Sequence, residues 1–198
     1  ALIRKLIRKY KNIEIVSIDN YSSGYESNHI KSKKVKYFNK DTQTLIPKKL
    51  DANNTKMDYA DGFEPDVVFH FGEFSRIVTS FDGFDNCWDY NMQGTKMVLD
   101  YCISKKAKLI YSASSSKFGN DGKDENLSPY AWMKAKMVEL IKNYADWFDL
   151  KYEITYFYNA YGPGQVRTGD YATVIGIFEE QYAKGEPLTV VEPGEQSR

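Results

Sequence analysis

Apolar residues along this chain repeat with two different spacings, and the alternation between them predicts its elements. Leu2, Ile3, Leu6, Ile7 and Tyr10 recur at helical spacing, so the opening segment reads as an amphipathic helix. A β-branched run over 13–19 follows; it ends in Asp19 and meets the turn-forming residues Asn20, Tyr21, Ser22, Ser23 and Gly24. Further apolar runs at 35–38, 67–71, 108–112, 152–158 and 188–191 predict strands, and helical stretches are expected at about 86–104, 129–148 and 171–184. Ser128 is a good N-cap and Pro129 a good first residue for the second of these helices. Strands alternating with helices of this length imply an α/β fold, a doubly wound parallel sheet covered on both faces. A helix followed by a strand is the second half of a β-α-β unit, so the first strand is expected to be missing and the chain to be a fragment.

Composition narrows the class. The 198 residues fit one domain with a single core, and 27 acidic residues balance 27 basic ones, which favours neither nucleic acid nor an anionic membrane as partner. The lysines of 31–36 read as a solvated loop. Cys87 and Cys102 sit in no CxxC or Cys/His cluster, so neither a disulfide scaffold nor a metal site is expected, and a reducing cytoplasm is the simplest location. No apolar run approaches the roughly 20 residues that span a bilayer, and no signal-like stretch opens the chain.

Ligands of such sheets bind beyond the carboxyl ends of the strands, where Asp19, Phe71 and Gly72, Ser112–Ser116, Tyr158 and Asn159 are expected to converge. Asp19 stands where a dinucleotide-binding fold places the acid that accepts the adenosine ribose hydroxyls, and it would repel a 2′-phosphate; it reads equally well as a turn aspartate. No GxGxxG or GxxGxxG phosphate turn occurs in the chain. Tyr130 and Lys134 lie four residues apart on one helix face, where a cation would lower the phenol pKa toward working pH. Tyr101 and Lys105 share that spacing but read as an exposed helix end. Ser114, one of three serines leaving the strand 108–112, could hydrogen-bond the oxygen on which Tyr130 acts. Asn91 and Gly94 are poor helix residues, and Gly94 is expected to serve close packing beneath the sheet. His70 reads as a satisfied core histidine, and Tyr152, Tyr156, Phe157 and Tyr158 as core and crevice wall.

With these segments in this order, the chain resembles the extended short-chain dehydrogenase/reductase family in its nucleotide-sugar epimerase/dehydratase branch. The resemblance is carried by 17–24, 67–72, 91–95, 109–119, the Tyr130/Lys134 pair and 157–164, and spans nearly the whole chain. It implies a partial Rossmann-like NAD-binding domain over 1–198, without the first strand and glycine-rich turn, and the start of a substrate-binding region at about 160–198. It further implies that Asp19, Asn20, Ser23 and Gly24 hold the adenosine ribose, that Asp41 and Thr42 flank the adenine, and that Phe71, Gly72 and Glu73 line NAD. Ser112 and Tyr158 would lie near the nicotinamide, Ser114, Tyr130 and Lys134 would be the catalytic set, and Asn159 would meet the sugar nucleotide.

The implied reaction is epimerisation at sugar C4 by transient oxidation, on a UDP-linked sugar. A nucleotide-sugar reductase or dehydratase, or a non-catalytic dinucleotide-binding module, are the alternatives. Ser115 and Ser116 stand where eliminating relatives carry acids, which disfavours loss of water or carbon dioxide. Other departures are Glu73 for a small residue, Phe118 for a tyrosine and Tyr156 for an arginine. The resemblance also implies a homodimer, paired through the helices at 86–104 and 129–148.

Overall fold

The computed structural model describes residues 1–45, 62–190, 192 and 194. They form two compact units, Ala1–Tyr158 and Asn159–Arg198. In the first, α1 (Leu2–Lys9) leads into β1 (Ile15–Asp19) and β2 (Val35–Asn39), which pair in parallel. A second parallel group has the order β3 (Val67–His70), β4 (Lys108–Ser114), β5 (Tyr152–Phe157). Among the described residues, β1 and β3 each have one strand neighbour, and Val67 and Phe69 on β3 are 41% and 39% exposed. The α/β reading with parallel strands therefore holds. No helix of the described residues is long and apolar enough to cross a membrane.

The core lies between β4 and two helices, α4 (Gly94–Lys105) and α5 (Pro129–Phe148). Leu109, Tyr111 and Ala113 alternate along β4 and meet Val98, Leu99 and Cys102 of α4 and Met137, Val138 and Ile141 of α5. Burying such residues contributes roughly 1.5–3 kcal/mol each, enough to fix the helices on the strand. Tyr101 is part of this core, not an exposed helix end, so the second Tyr-x-x-x-Lys match is structural. Helix α5 spans the expected residues: the Ser128 hydroxyl accepts Ala131 N at 3.1 Å, Pro129 opens the helix, and Asp149 ends it at φ 56°.

Elsewhere the structure departs from the sequence pattern. The helix expected over 86–104 is broken. Two short helices, α2 (Thr79–Asp82) and α3 (Phe84–Trp88), precede a π turn at Asp89–Gln93, and only then does α4 begin. A π turn adds a residue to the winding and re-aims the side chains within it, which averaged apolar periodicity cannot register. Strand β4 continues to Ser114, which pairs with Phe157 on β5, so that serine ends the strand and does not belong to the loop.

In the second unit, α6 (Val174–Lys184) starts three residues later than expected, because Ala172 N bonds Gly169 O at 3.1 Å in a turn built on the positive φ of Gly169. The strand expected over 188–191 is absent among the described residues, and Val191 lies outside them. An apolar run becomes a strand only with a ladder to join. Here Thr189 N donates to the Gln181 side-chain oxygen on α6 at 3.1 Å, and Gln181 Nε2 donates to Thr189 Oγ1 at 3.3 Å.

Gly94 does serve close packing, but against a turn and not beneath the sheet. A Cβ at that position would run into Thr42 Oγ1, so its absence lets the 3-10 turn at Thr42–Thr44 lie on α4. Gly94→Ala should cost about 1–3 kcal/mol by overpacking, offset by the roughly 1 kcal/mol that alanine gains in a helix. Urea denaturation is expected to show Gly94→Ala less stable than wild type. Gly94→Ala/Thr42→Ala, freed of the clash, should be more stable than Thr42→Ala alone.

Candidate functional site

Ser114 ends β4 and faces the first turn of α5. That turn is held by two serines: Ser128 caps it, and the buried Ser80 Oγ on α2 accepts Tyr130 N at 3.3 Å. The Tyr130 phenol is thereby set near Ser114, whose hydroxyl acts to lower its pKa. Ser116 orients the Ser114 hydroxyl. Its amide and its hydroxyl both donate to Ser114 Oγ, at 3.2 and 2.9 Å, which fills the acceptor positions of that hydroxyl and leaves its one proton to be donated elsewhere.

One turn along α5, Lys134 points into the protein. Its side chain is 7% exposed, and it is ion-paired with Glu73, whose side chain is 2% exposed. The ammonium also donates to Ser112 O and lies 3.4 Å from the Tyr111 hydroxyl, so its three protons are committed within the fold. Glu73 Oε1 accepts the hydroxyls of Tyr111 and Thr95, each at 3.0 Å. Because the Thr95 proton is given to Glu73, His70 Nε2, 2.9 Å from Thr95 Oγ1, must be the donor in that contact, which fixes its tautomer. Burial lowers the His70 pKa, consistent with a neutral ring.

The expectation that Lys134 lowers the Tyr130 pKa is therefore corrected. Tyr130 is raised above the ordinary tyrosine value, chiefly by burial; the Ser114 hydroxyl opposes this, Glu73 and Cys87 add to the rise, and Arg76 opposes it. The charge of Lys134 is matched by Glu73 before it reaches the phenol. Glu73 also departs from its expected place beside Phe71 and Gly72, which are exposed, since its carboxylate turns inward. Asn91, in the π turn, closes the cluster: its side-chain oxygen accepts Phe74 N at 2.7 Å and its amide donates to Phe74 O at 3.1 Å, which pins the segment that carries Glu73.

The remaining predicted residues fall into separate groups. Asp19 is exposed at the end of β1, with one carboxylate oxygen accepting Tyr21 N at 2.8 Å. A Cβ on Gly24 would lie 3.9 Å from its other oxygen, so Gly24 approaches the acid without covering it. Asn20 Nδ2 donates to Asp41 Oδ1 at 2.6 Å and Asn20 Oδ1 accepts Ser22 N, which links the turn holding Ser23 to the end of β2. Thr42 packs on Gly94. Ser112 is buried and donates to His70 O at 3.2 Å. Tyr158 is exposed and ends the first unit, whereas Asn159 is exposed and begins the second.

Sequence reasoning missed the roles of Asn91, Thr95, Tyr111 and Arg76. An asparagine inside a helical stretch was the one available signal. Two departures noted separately prove to be partners, since Phe118 and Tyr156 stack edge to face with centroids 4.8 Å apart.

Comparison with known proteins decides the class. A model of the NAD dependent epimerase/dehydratase family matches residues 1–198. The chain belongs to that family. It is 28% identical over 146 residues to the UDP-N-acetyl-alpha-D-glucosaminuronate decarboxylase of Bacillus cytotoxicus, covering 67% of this chain and 45% of that protein. It is also 28% identical over 207 residues to the putative UDP-glucose 4-epimerase of Methanocaldococcus jannaschii, covering all of this chain and 63% of that protein. Among solved structures, the Thermotoga maritima UDP-glucose 4-epimerase with UDP-glucose superposes with a TM-score of 0.82 at 22% identity, over 98% of this chain and 62% of that one. The chain spans about half to two thirds of the length of these relatives.

The family is one of NAD-dependent enzymes, and the end of β1 fits that cofactor. A carboxylate exposed at a strand's carboxyl end, with a glycine beside it, is suited to accept a ribose diol.

The buried network carries a pH dependence. His70 has a lowered folded pKa, so its contribution is present above the unfolded value of 6.5 and is lost as pH falls toward the folded value. Taking the pH below 6.5 should therefore lower the unfolding free energy. Urea denaturation across that range is expected to show the loss in wild type and a shallower slope in His70→Gln.

Proposed function

We propose that the protein containing this chain is a nucleotide-sugar epimerase that oxidises and re-reduces the sugar at C4, acting on a UDP-linked sugar. The observation that carries this reading is the placing of Tyr130 beside Ser114 at the carboxyl end of β4, with Lys134 anchored one turn away. NAD, when bound, supplies the acceptor and later the donor of the hydride. The chain's own part is proton handling. Tyr130, as phenolate, takes the proton of the sugar hydroxyl as the C–H bond is broken, and as phenol it returns that proton when the carbonyl is reduced. Ser114, whose one proton is left free by Ser116, is placed to steady the phenolate.

Asp19, with Asn20, Ser23 and Gly24, would hold the adenosine ribose, Asp41 and Thr42 would lie toward the adenine, and Phe71 and Gly72 would line the cofactor. Ser112 would support the nicotinamide end through its backbone, with Tyr158 nearby and Asn159 toward the sugar nucleotide. The names of the relatives, a UDP-glucose 4-epimerase and a decarboxylase of a UDP-sugar acid, support the nucleotide-sugar class. Ser115 and Ser116 favour epimerase over an eliminating enzyme, because Ser116 serves Ser114 and neither residue brings an acid to the site.

Tyr130→Phe in the full-length protein should lower kcat for interconversion of UDP-glucose and UDP-galactose by about 10²–10⁴-fold, with little change in KM. Because Tyr130 titrates above the usual value, wild-type kcat should rise with pH through the neutral range. Unimpaired turnover in Tyr130→Phe rejects the assignment, and release of a dehydrated or decarboxylated product moves the protein to the eliminating branch.

A further inference from the structure

The proton-handling pair explains Ser114 and Tyr130, but it gives no use for the buried carboxylate of Glu73. A buried acid is costly unless it is paired and hydrogen-bonded, and here three elements supply its partners: Thr95 from α4, Tyr111 from β4 and Lys134 from α5. We propose that Glu73 is a positioning residue, which pins the Lys134 ammonium against the Ser112 carbonyl and so sets the pH range in which Tyr130 exchanges its proton. This rests on the proposed function only in naming Tyr130 as the acid/base.

The geometry leaves Lys134 no proton for the phenol. Its donors go to Glu73, Ser112 O and Tyr111, and its ammonium lies 4.6 Å from the centre of the Tyr111 ring. The groups that act on Tyr130 are Ser114 and Tyr111 from β4, Cys87 from α3, and Glu73 and Arg76 from the segment after β3, with Ser80 from α2 on its backbone amide. Burial raises the Cys87 thiol to about 11, the Tyr111 phenol is well above its ordinary value, and burial holds His70 neutral. The charged side chains of the cluster are those of Glu73, Lys134 and Arg76. Remove the Glu73 charge and the ammonium loses the partner that draws it inward, so its field falls on the phenol four residues before it.

The test is a tyrosine titration that needs no turnover. The full-length protein is labelled with 13Cζ-tyrosine, Tyr130 is assigned by the signal lost in Tyr130→Phe, and its midpoint is followed by NMR. Wild type should titrate above 10, the ordinary tyrosine value, and Glu73→Gln should titrate at least one unit lower, a tenfold gain in phenolate at fixed pH. In Glu73→Gln/Lys134→Met, where no ammonium is left to be released, most of that shift should vanish. A folded Glu73→Gln with the wild-type midpoint overturns the proposal, and so does a double variant shifted as far as the single, since Glu73 would then act on Tyr130 directly. If Glu73→Gln does not fold, Glu73→Asp keeps the charge but draws it one carbon back from Lys134. Its midpoint should fall by a smaller, resolved amount, and no change overturns the proposal. Failure of the epimerase assay leaves this titration intact, so the two claims fall separately.

Discussion

The structure around the candidate site depends on one constraint: two opposite charges, Lys134 and Glu73, are held out of water and must satisfy each other. Taking either charge out of water costs several kcal/mol, and attraction repays it only where the remaining donors and acceptors are also matched. That requirement reaches outward. It recruits Tyr111, Thr95 and the Ser112 carbonyl, and through Thr95 it orients His70. The segment after β3, the strand β4 and the helices α4 and α5 are thus fixed together by one polar network within an otherwise apolar core.

A second layer of structure serves the same segment. The π turn places Asn91 where its amide can grip both backbone groups of Phe74, and Gly94, just beyond, lets Thr42 approach α4. Asparagine and glycine both weaken a regular helix. Here their local cost is offset by contacts that a regular helix could not make. The result is a stiff frame behind Tyr130, whose own exchangeable proton is handled from the other side by the serines 114 and 116.

Residues that the sequence singles out separately prove to be partners. Phe118 and Tyr156 pack against each other. Glu73 likewise has its counterpart, for its carboxylate neutralises Lys134. Both pairs lie within a chain of the NAD dependent epimerase/dehydratase family.

Much of this was legible in the sequence where a local rule governs the outcome. Helix α5 was readable to the residue because Ser128, Pro129 and the apolar spacing act within a few positions of one another. The parallel α/β arrangement followed from strands and helices in alternation, and the meeting of Ser114 with Tyr130 followed from a strand end and a helix start that such a fold brings together. The strand expected over 188–191 failed because strand formation needs a partner, and the Gln181 side chain took that place for Thr189. The π turn, the inward Glu73 and the raised Tyr130 pKa were likewise outside its reach. Spacing says that a lysine and a tyrosine share a helix face, but which charge the lysine spends itself on is settled by a glutamate 61 positions away that only folding brings near. Sequence by itself determined the elements and the chemical groups available; the tertiary structure alone decided their protonation, because electrostatic energy depends on burial and distance in space, neither of which is written along the chain.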